Sequence, residues 1–578
     1  MLRSLTSDKE SFKDFTFREG LNIVLADRVF VPDGEASPER RTRNGAGKSS
    51  LIDLVHFLLA GGPEGALKSK ALQDWSFILS LDVGPEVWTI ERGLSEKKSI
   101  TRTCEPAPAR EISATALAQQ LGQTWFHLNG SKATGGASFR QLISYFARRR
   151  RDGGYDSPIR TFRAQSNAVS ETNLAILFGL DAEIVRRLHQ AKAALKQTET
   201  AQKTLRDLDK TAPKGARRVD LEAQLSAQIV AATLARDHLR TRIDAFNVLP
   251  AFRELEQELA KLNRDAGDLS DEDVLDRESI AANRRALESE DASRTTQLEL
   301  LFSEANVVFP TSVSRRYEEV AQFHKRLIEN RQSHLQNEIA AAELRIAARR
   351  TDREAIEIRR RQITAALRSS GPADELLRLR DELSTKEADV RGLEARLQEA
   401  QSLEERAEGL SRTVDESVRA LKQDRRERSA IVDHASRLFS EISERLYETP
   451  GRLAISATEH GLRFVPETPS DQSAGVMSME IFCFDLTIAS LCQSKGLGPG
   501  FLIHDSHLFE PVDGRQFAKA LRIAADFANE TKIQYIVTLN SDELARAETE
   551  SGENFREFVI DPVLSDAPDG GLFGFRFD

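Results

Sequence analysis

The spacing of hydrophobic residues changes twice along the chain and divides it into three stretches. In the first stretch, short apolar runs such as Leu21–Leu25 and Phe77–Leu81 alternate with turn-rich segments. In the last stretch, the apolar runs Phe501–Ile503 and Ile533–Leu539 flank a helical pattern. Apolar runs of this length, bounded by turn residues, predict buried strands. Both ends of the chain are therefore expected to contain α/β structure.

In the middle stretch, hydrophobic residues recur every seven positions and strand signals are nearly absent. The stronger repeat consists of Leu376, Leu383, Val390 and Leu397, and the weaker one of Leu225, Ala232, Leu239 and Phe246. Heptad spacing of apolar residues among charged positions is typical of a coiled coil. A bundle of amphipathic helices is the alternative interpretation. We expect the two repeats to pair antiparallel in one arm.

These patterns predict three regions. Residues 1–175 form one half of an α/β head, residues 176–447 form a coiled-coil arm with a helical apex, and residues 448–578 form the other half of the head. Neither end has the strands of a complete domain, so we expect the two ends to fold together. The arm is then an insertion that folds back on itself, and the two halves of the head share a single mixed sheet.

The composition favours long exposed helices. Of the 578 residues, 30% are charged and only 6% are aromatic, which indicates extended helical surface rather than a large core. The net charge of −10 means that DNA binding needs a local basic patch. The cysteines Cys104, Cys483 and Cys492 are too scattered for a disulfide framework and fit a reducing, cytoplasmic compartment. The sequence shows no apolar run of about 18 residues, so we expect no membrane span.

A candidate phosphate-binding loop lies near the start of the sequence. Its residues are Asn44, Gly45, Ala46, Gly47, Lys48, Ser49 and Ser50, with Thr42 where the usual pattern has its first glycine. Glycines let backbone N–H groups face phosphates, and the positive end of the following helix favours negative charge. In such loops the lysine contacts the β- and γ-phosphates of ATP, and the serine holds Mg²⁺. These roles fall here on Lys48 and Ser49.

A second candidate motif lies far downstream. The apolar run Phe501–Ile503 is followed by His504 and Asp505. An acid at the end of a buried strand is typical of a Walker B motif, in which the acid orders Mg²⁺ or its water. We therefore expect Ser49 and Asp505 to be the metal-binding residues, with ATP and Mg²⁺ as the ligands.

The order of these motifs resembles that of a known superfamily. A loop of the form Asn44-Gly45-Ala46-Gly47-Lys48-Ser49, then a coiled coil, then a Walker B strand is the layout of the SMC, RecN and related DNA-repair ABC ATPases. The blocks Ser138–Arg140, Phe178–Asp181 and His504–Ser506 are similar to a narrower group, the coiled-coil ATPases of bacterial three-component ABC systems. The resemblance implies an α/β P-loop ABC-type ATPase head that is split in sequence by a long antiparallel α-helical coiled coil.

The resemblance also implies where the other parts of an ATP site lie. In relatives, two heads form a homodimer around ATP, and a signature loop of one head completes the site of the other. Here Ser473 and Gly475 stand at the signature position. Gln165 is the candidate for the glutamine loop, with Gln141 as the alternative, and Asn540 stands where relatives have a switch histidine.

One departure from the relatives bears on hydrolysis. Most ABC ATPases have a glutamate after the Walker B aspartate as the base for the attacking water, and here that position is Ser506. A serine hydroxyl cannot take a proton at neutral pH without a partner base. His507 and Glu510 are nearby substitutes. Asp505, Ser506 and His507 are therefore the candidate catalytic residues of a slow ATPase.

The basic tract Arg148, Arg149, Arg150 and Arg151 is the candidate contact for DNA phosphates. A solvated helix end is the alternative interpretation of the same tract. The ATPases of three-component systems are implicated in defence against phages and plasmids, which implies accessory subunits such as a nuclease or another effector. Two other functions stay open. One is a chromosome or DNA-repair ATPase with the same kind of head, and the other is a nucleotide-binding scaffold that hardly hydrolyses ATP.

Overall fold

A computed structural model gives the fold of most of the chain. The described residues are 1–27, 47–95, 100–104, 107–128, 136–207, 221–246, 250–293, 311–368, 371–469 and 473–575. They fall into two compact units. The first, which we call the head unit, joins Met1–Thr200 to Arg406–Asp578, and the second, the helical unit, comprises Ala201–Glu405.

Helices and strands alternate at both ends of the chain, and long helices fill the middle. The helices are α1 Lys48–Leu58, α2 Ala114–Phe126, α3 Phe139–Ile143, α4 Asn167–Phe178, α5 Ala182–Asp207, α6 Leu221–Asp244, α7 Pro250–Ser293, α8 Thr311–Arg368, α9 Gly371–Glu427, α10 Ser429–Tyr447, α11 Ala474–Ser494, α12 Gly514–Thr531 and α13 Ser541–Ser551. The strands are β1 Leu2–Ser7, β2 Phe15–Thr16, β3 Leu21–Asp27, β4 Ser76–Val83, β5 Glu86–Gly93, β6 Ile100–Cys104, β7 Ala107–Ile112, β8 Arg452–Thr458, β9 Gly461–Glu467, β10 Phe501–His504, β11 Gln534–Asn540 and β12 Leu564–Ser565. The four apolar runs named above correspond to β3, β4, β10 and β11.

In the helical unit, α6 and α9 pair through the predicted heptad residues. The buried cluster between them consists of Leu221, Leu225, Leu393, Leu397 and Ala400. Farther along α6, a guanidinium nitrogen of Arg240 lies 4.0 Å from a carboxylate oxygen of Glu387. Residues farther along α6 contact residues that come earlier in α9, so the two helices run antiparallel.

A second helix pair, α7 and α8, lies in the same unit. Leu259 of α7 and Ile363 of α8 share a small buried cluster. Ion pairs extend the contact, with 2.6 Å between Arg345 and Asp276 and 2.7 Å between Arg359 and Glu258. Exposed pairs of this kind contribute little stability, so we expect them to fix the register of the pair rather than its strength.

The described residues of the head unit form three sheets, so the expectation of a single mixed sheet is wrong. One sheet has six antiparallel strands in the order β2-β1-β4-β5-β6-β7, and β8 and β9 form a separate hairpin. The third sheet is parallel, in the order β10-β11-β3-β12. Burial explains the division. Strand β4 buries every second residue, as an antiparallel strand with one packed face does, whereas β10 is buried at every position.

The parallel sheet joins the two ends of the chain. Strand β3 lies between β11 and β12, with Ile23 opposite Val537 and Ala26 opposite Leu564. Each backbone group of a buried strand needs a hydrogen-bond partner. Because both neighbours of β3 come from the other end of the sequence, neither half can complete this sheet alone.

Helix α11 is long and apolar enough to cross a membrane by length and composition, contrary to the expectation that no such run occurs. Its most apolar window is 72% buried inside the fold. Phe482 and Phe484 are fully buried there. A core helix passes the same test of length and hydropathy, and α11 packs as a core helix of the head unit.

A buried ion pair anchors the chain beside the parallel sheet. Arg148 and Asp485 are both fully buried, and Arg148 Nε and Nη2 donate to the two carboxylate oxygens at 2.6 and 2.7 Å. The same guanidinium donates to the backbone carbonyls of Gly154, Ser157, Pro158 and Arg160. The prediction that Arg148 contacts DNA is therefore wrong, because its donors are used inside the core.

Removing Arg148 should destabilise the head unit strongly. We expect Arg148→Ala to lower the free energy of unfolding by about 3–5 kcal/mol, because the buried carboxylate of Asp485 would lose its cationic partner and keep, within the described chain, only the contact with His504 Nε2 at 3.2 Å. Urea denaturation of the full chain measures this loss. Arg160→Ala is the control, since the Arg160 guanidinium donates to Asn167 Oδ1 at the surface. A loss no larger than that of the control would contradict the role assigned to the pair.

Candidate functional site

The carboxyl ends of three parallel strands meet at one edge of the sheet. There β11 ends at Asn540, next to the end of β3, and β10, on the other side of β11, ends just before Asp505. Helix α1 begins at Lys48, and Lys48 Nζ donates a hydrogen bond to Asn540 Oδ1. In open parallel sheets, ligands bind at this edge. The fold therefore brings the lysine of the candidate phosphate loop to the residue at the switch position.

The first residue before α1 has to be glycine. Gly47 caps the helix with φ at 84°, a conformation that residues with a side chain rarely adopt. A Cβ atom at Gly47 would also lie 2.8 Å from Leu572 Cβ. The tail of the head unit thus packs directly against the start of α1. Asn44, Gly45 and Ala46 lie outside the described residues.

A cavity of about 510 Å³ opens at this edge. Its lining residues are Ser49, Ile52, Asp53, Arg149, Arg150, Arg151, Asp156, Arg163, Asp505 and His507. The two residues predicted to bind metal, Ser49 and Asp505, therefore face one space. In the described ranges, no group of three or more His, Cys, Asp or Glu side chains could hold a metal ion. A Mg²⁺ ion here would take its other ligands from nucleotide phosphates and water, which is its usual coordination in nucleotide sites.

Asp505 is held in a fixed orientation. Its Oδ1 accepts hydrogen bonds from the His507 backbone N–H at 3.1 Å and from Ser506 Oγ at 3.3 Å. The backbone N–H of Asp505 donates to the Tyr155 hydroxyl at 3.0 Å. Within the described part of the chain no hydrogen bond reaches Oδ2, which leaves that oxygen for a cation. Ser506 is 4% exposed and lies outside the cavity lining, so its hydroxyl supports the carboxylate.

His507 and Glu510 form a dyad at the cavity. His507 Nδ1 lies 2.7 Å from Glu510 Oε2, across the short 3₁₀ turn Ser506–Leu508. A carboxylate at Nδ1 favours the tautomer with its proton there and leaves Nε2 as a proton acceptor. The other carboxylate oxygen of Glu510 lies 3.7 Å from Arg150 Nη1. The dyad therefore offers a base beside Asp505, at the wall of the same cavity.

Asp53 is a second acid in the cavity wall. It lies one turn beyond Ser49 on α1, and burial raises its pKa to about 6, although Arg151 opposes the shift. The distance between Arg151 Nη2 and Asp53 Oδ1 is 3.1 Å. The charge of Asp53 therefore changes near pH 6.

Other predicted site residues lie outside the cavity lining. Gln165 is 2% exposed, accepts from the Thr161 backbone N–H at 2.8 Å and donates to the Tyr145 hydroxyl at 3.3 Å, so its amide is used within its own loop. The alternative, Gln141, belongs to the capping box of α3. Ser50 lies in the first turn of α1, outside the cavity lining. The roles of these residues in nucleotide binding stay predictions.

The signature-position residues lie at the start of α11. Ser473 is the N-cap of this helix, and its hydroxyl accepts from the Val476 backbone N–H at 3.3 Å. Gly475 packs against the neighbouring loop, where an added Cβ would lie 2.7 Å from Pro511 O. Their contact with a second head stays a prediction.

Sequence reasoning missed that three arginines of the basic tract, Arg149–Arg151, line the cavity. Ala147 pairs in parallel with Ile503, and the Ile503 N–H donates to Phe146 O at 2.8 Å. The chain therefore runs along β10 and leaves the sheet edge at Arg149, close to Asp505. The available signal was the apolar triplet Tyr145–Ala147, which has the length of a short edge strand.

Comparisons with known protein sequences find distant similarities. A family profile described as an uncharacterised protein conserved in bacteria (DUF2326) matches residues 442–577. The uncharacterized protein YydD of Bacillus subtilis (strain 168) is 21% identical over 283 residues, which are 46% of this chain and 48% of that protein. The match thus spans about half the length of the curated relative.

Two solved structures align over nearly the whole chain, both at low identity. The Smc head domain with a coiled coil and joint from Pyrococcus yayanosii covers 95% of this chain and 93% of its own, with 14% identity and a TM-score of 0.36. The Smc head domain with an extended coiled coil, bound to the C-terminal domain of ScpA, from Pyrococcus furiosus covers 94% and 90%, with 12% identity and a TM-score of 0.32. Similarities this distant carry neither a family nor a function over to this chain.

Proposed function

We propose that this chain is an ATPase that binds ATP and Mg²⁺ at the carboxyl edge of its parallel sheet. The observation that carries the proposal is that Lys48, Asn540 and Asp505 lie at that edge, from three separate parts of the sequence. Asp505 lines the cavity, whereas Lys48 and Asn540 are hydrogen-bonded to each other outside its lining. A cavity of this size suits a small-molecule ligand. The start of α1 adds a positive helix end, which favours phosphate.

Each residue at the edge has a distinct part in binding. Lys48 is held by Asn540 and would turn to the β- and γ-phosphates, exchanging an amide oxygen for a charged acceptor. Ser49 Oγ and Asp505 Oδ2 would hold Mg²⁺. When bound, the ion would neutralise charge on the phosphates. The hydrogen bonds to Asp505 Oδ1 keep the carboxylate in place for this task.

His507 is our candidate for the base that replaces the glutamate of other ABC ATPases. Its Nε2 would accept a proton from the attacking water, and Glu510 at Nδ1 would stabilise the imidazolium that forms. Ser506 cannot do this, since its hydroxyl already donates to Asp505. The proposed base is therefore the second residue after the aspartate, whereas in relatives it is the first.

The wider role rests on the motif resemblance. Two heads would close around ATP as a homodimer and couple this to DNA engagement, together with accessory subunits, in a multi-component bacterial defence system. A chromosome or DNA-repair ATPase would use the same head. The burial of Ser506 favours one further candidate, a nucleotide-binding scaffold with little hydrolysis, because the usual catalytic position holds no base.

Loss of the loop lysine should weaken nucleotide binding. We expect Lys48→Ala to lower the affinity for ATP with Mg²⁺ by about 10- to 100-fold, because charge-assisted hydrogen bonds to phosphate are lost. Calorimetric titration of the full chain measures the affinity. Lys519→Ala, at an exposed pair with Glu448, is the control. Equal affinities for wild type and Lys48→Ala would refute the assignment of the phosphate site.

Hydrolysis should depend on the dyad. We expect His507→Ala to lower the turnover of ATP by about 10²–10⁴-fold with little change in ATP affinity, because a general base acts on the chemical step. Glu510→Gln should give a smaller loss. Phosphate release under single-turnover conditions is the measurement. If wild type is no faster than Lys48→Ala, the scaffold function is favoured instead.

Nucleotide should also drive the heads together. Gly475 is a poor site for a blocking residue, because an arginine there would displace Pro511 within the same head. Ser473 is exposed, so Ser473→Arg should keep the protein monomeric when ATP raises the mass of wild type in light scattering. Ser473→Asn, which preserves the helix cap, is the control. Masses that are the same with and without ATP in all three proteins would exclude a nucleotide-driven dimer.

A further inference from the structure

Four arginines line the candidate nucleotide cavity: Arg149, Arg150, Arg151 and Arg163. Three of them have close acidic partners. The distances from a guanidinium nitrogen to a carboxylate oxygen are 2.5 Å for Arg149 and Asp152, 3.1 Å for Arg151 and Asp53, and 2.8 Å for Arg163 and Asp156. Each of these three pairs is within hydrogen-bond distance, although the Arg163–Asp156 pair is exposed.

Arg150 is held differently. Among the residues that the structure describes, Arg150 pairs with Glu510 at 3.7 Å, which is too long for a hydrogen bond, and its side chain is 55% exposed. An exposed pair at this distance contributes little. Glu510 also has a closer partner in His507, at 2.7 Å. Arg150 can therefore leave Glu510 for a stronger anion at small cost.

The position of Arg150 favours a ligand inside the cavity over a polymer on the surface. The chain leaves the sheet edge between Ala147 and Arg150, next to the strand that carries Asp505. Ser49 lines the same space from the start of α1. An anion that reaches Ser49 and Asp505 through a metal ion is thus within the same enclosure as the Arg150 side chain. A DNA duplex is too wide to enter a cavity of about 510 Å³.

We propose that Arg150 binds the terminal phosphate of the nucleotide and releases Glu510 to serve His507 alone. The inference rests on the proposed function, since it requires a nucleotide at this edge. A guanidinium fork matches two phosphate oxygens at once. The basic tract then acts on the nucleotide, with Arg148 as its anchor, and the departure of Arg150 couples triphosphate binding to the dyad.

Calorimetric titration of the full chain tests whether Arg150 contacts the terminal phosphate. The ligands are ADP and a non-hydrolysable ATP analogue, each with Mg²⁺. We expect Arg150→Ala to weaken binding of the triphosphate analogue about tenfold or more and to leave ADP affinity within about twofold. Arg160→Ala, an arginine of the same segment that lies outside the cavity lining, should change neither affinity. The melting temperature of Arg150→Ala should match that of wild type, because the side chain is largely exposed.

Several outcomes separate this inference from the proposed function. If Lys48→Ala loses binding while Arg150→Ala binds the analogue normally, the inference is overturned and the nucleotide site stands. An equal loss for ADP and the analogue in Arg150→Ala would also overturn it, because the contact would not be with the terminal phosphate. If Arg150→Ala instead loses affinity only for a labelled DNA duplex, the tract serves DNA. If Lys48→Ala binds normally, both the nucleotide site and this inference fail.

Discussion

The buried ion pair between Arg148 and Asp485 connects the two halves of the head unit. Both charges are fully buried, and each would be costly there without the other. The guanidinium also gathers the carbonyls of the loop that follows, from Gly154 to Arg160. That loop carries Tyr155, whose hydroxyl accepts the backbone N–H of Asp505. One arginine thus links the core helix α11, the loop and the candidate metal-binding acid.

The parallel sheet imposes the second constraint. Its central strands come from opposite ends of the sequence, and its carboxyl edge therefore collects side chains that no single half contains. Lys48 and Asn540 meet there directly. The close packing of Leu572 against Gly47 adds the tail of the head unit to the same edge. Formation of the candidate site is thus inseparable from joining of the two halves.

Side chains of both charges line the cavity. Arginines and the acids Asp53, Asp156 and Asp505 line the same cavity, and Asp53 and Asp156 are paired with Arg151 and Arg163. The candidate base lies at His507, because the hydroxyl of Ser506 is turned inward to Asp505. Ser506, directly after Asp505, donates a hydrogen bond to its carboxylate, and His507, the following residue, lines the cavity.

The sequence alone determined the local features of this protein. Runs of neighbouring apolar residues predicted β3, β4, β10 and β11, and sevenfold spacing predicted the contact between α6 and α9, since both depend on periodicity within one segment. Motif spacing also identified Ser49, Asp505 and His507 as candidate site residues, and the structure shows that all three line one cavity. Only the tertiary structure decided that the strands form three sheets, that Gln165 is buried and that Arg148 faces Asp485 while Arg150 faces Glu510. The reason is physical: a charged side chain takes its role from partners supplied by distant segments, and a run of four arginines contains no information about which of them will be buried.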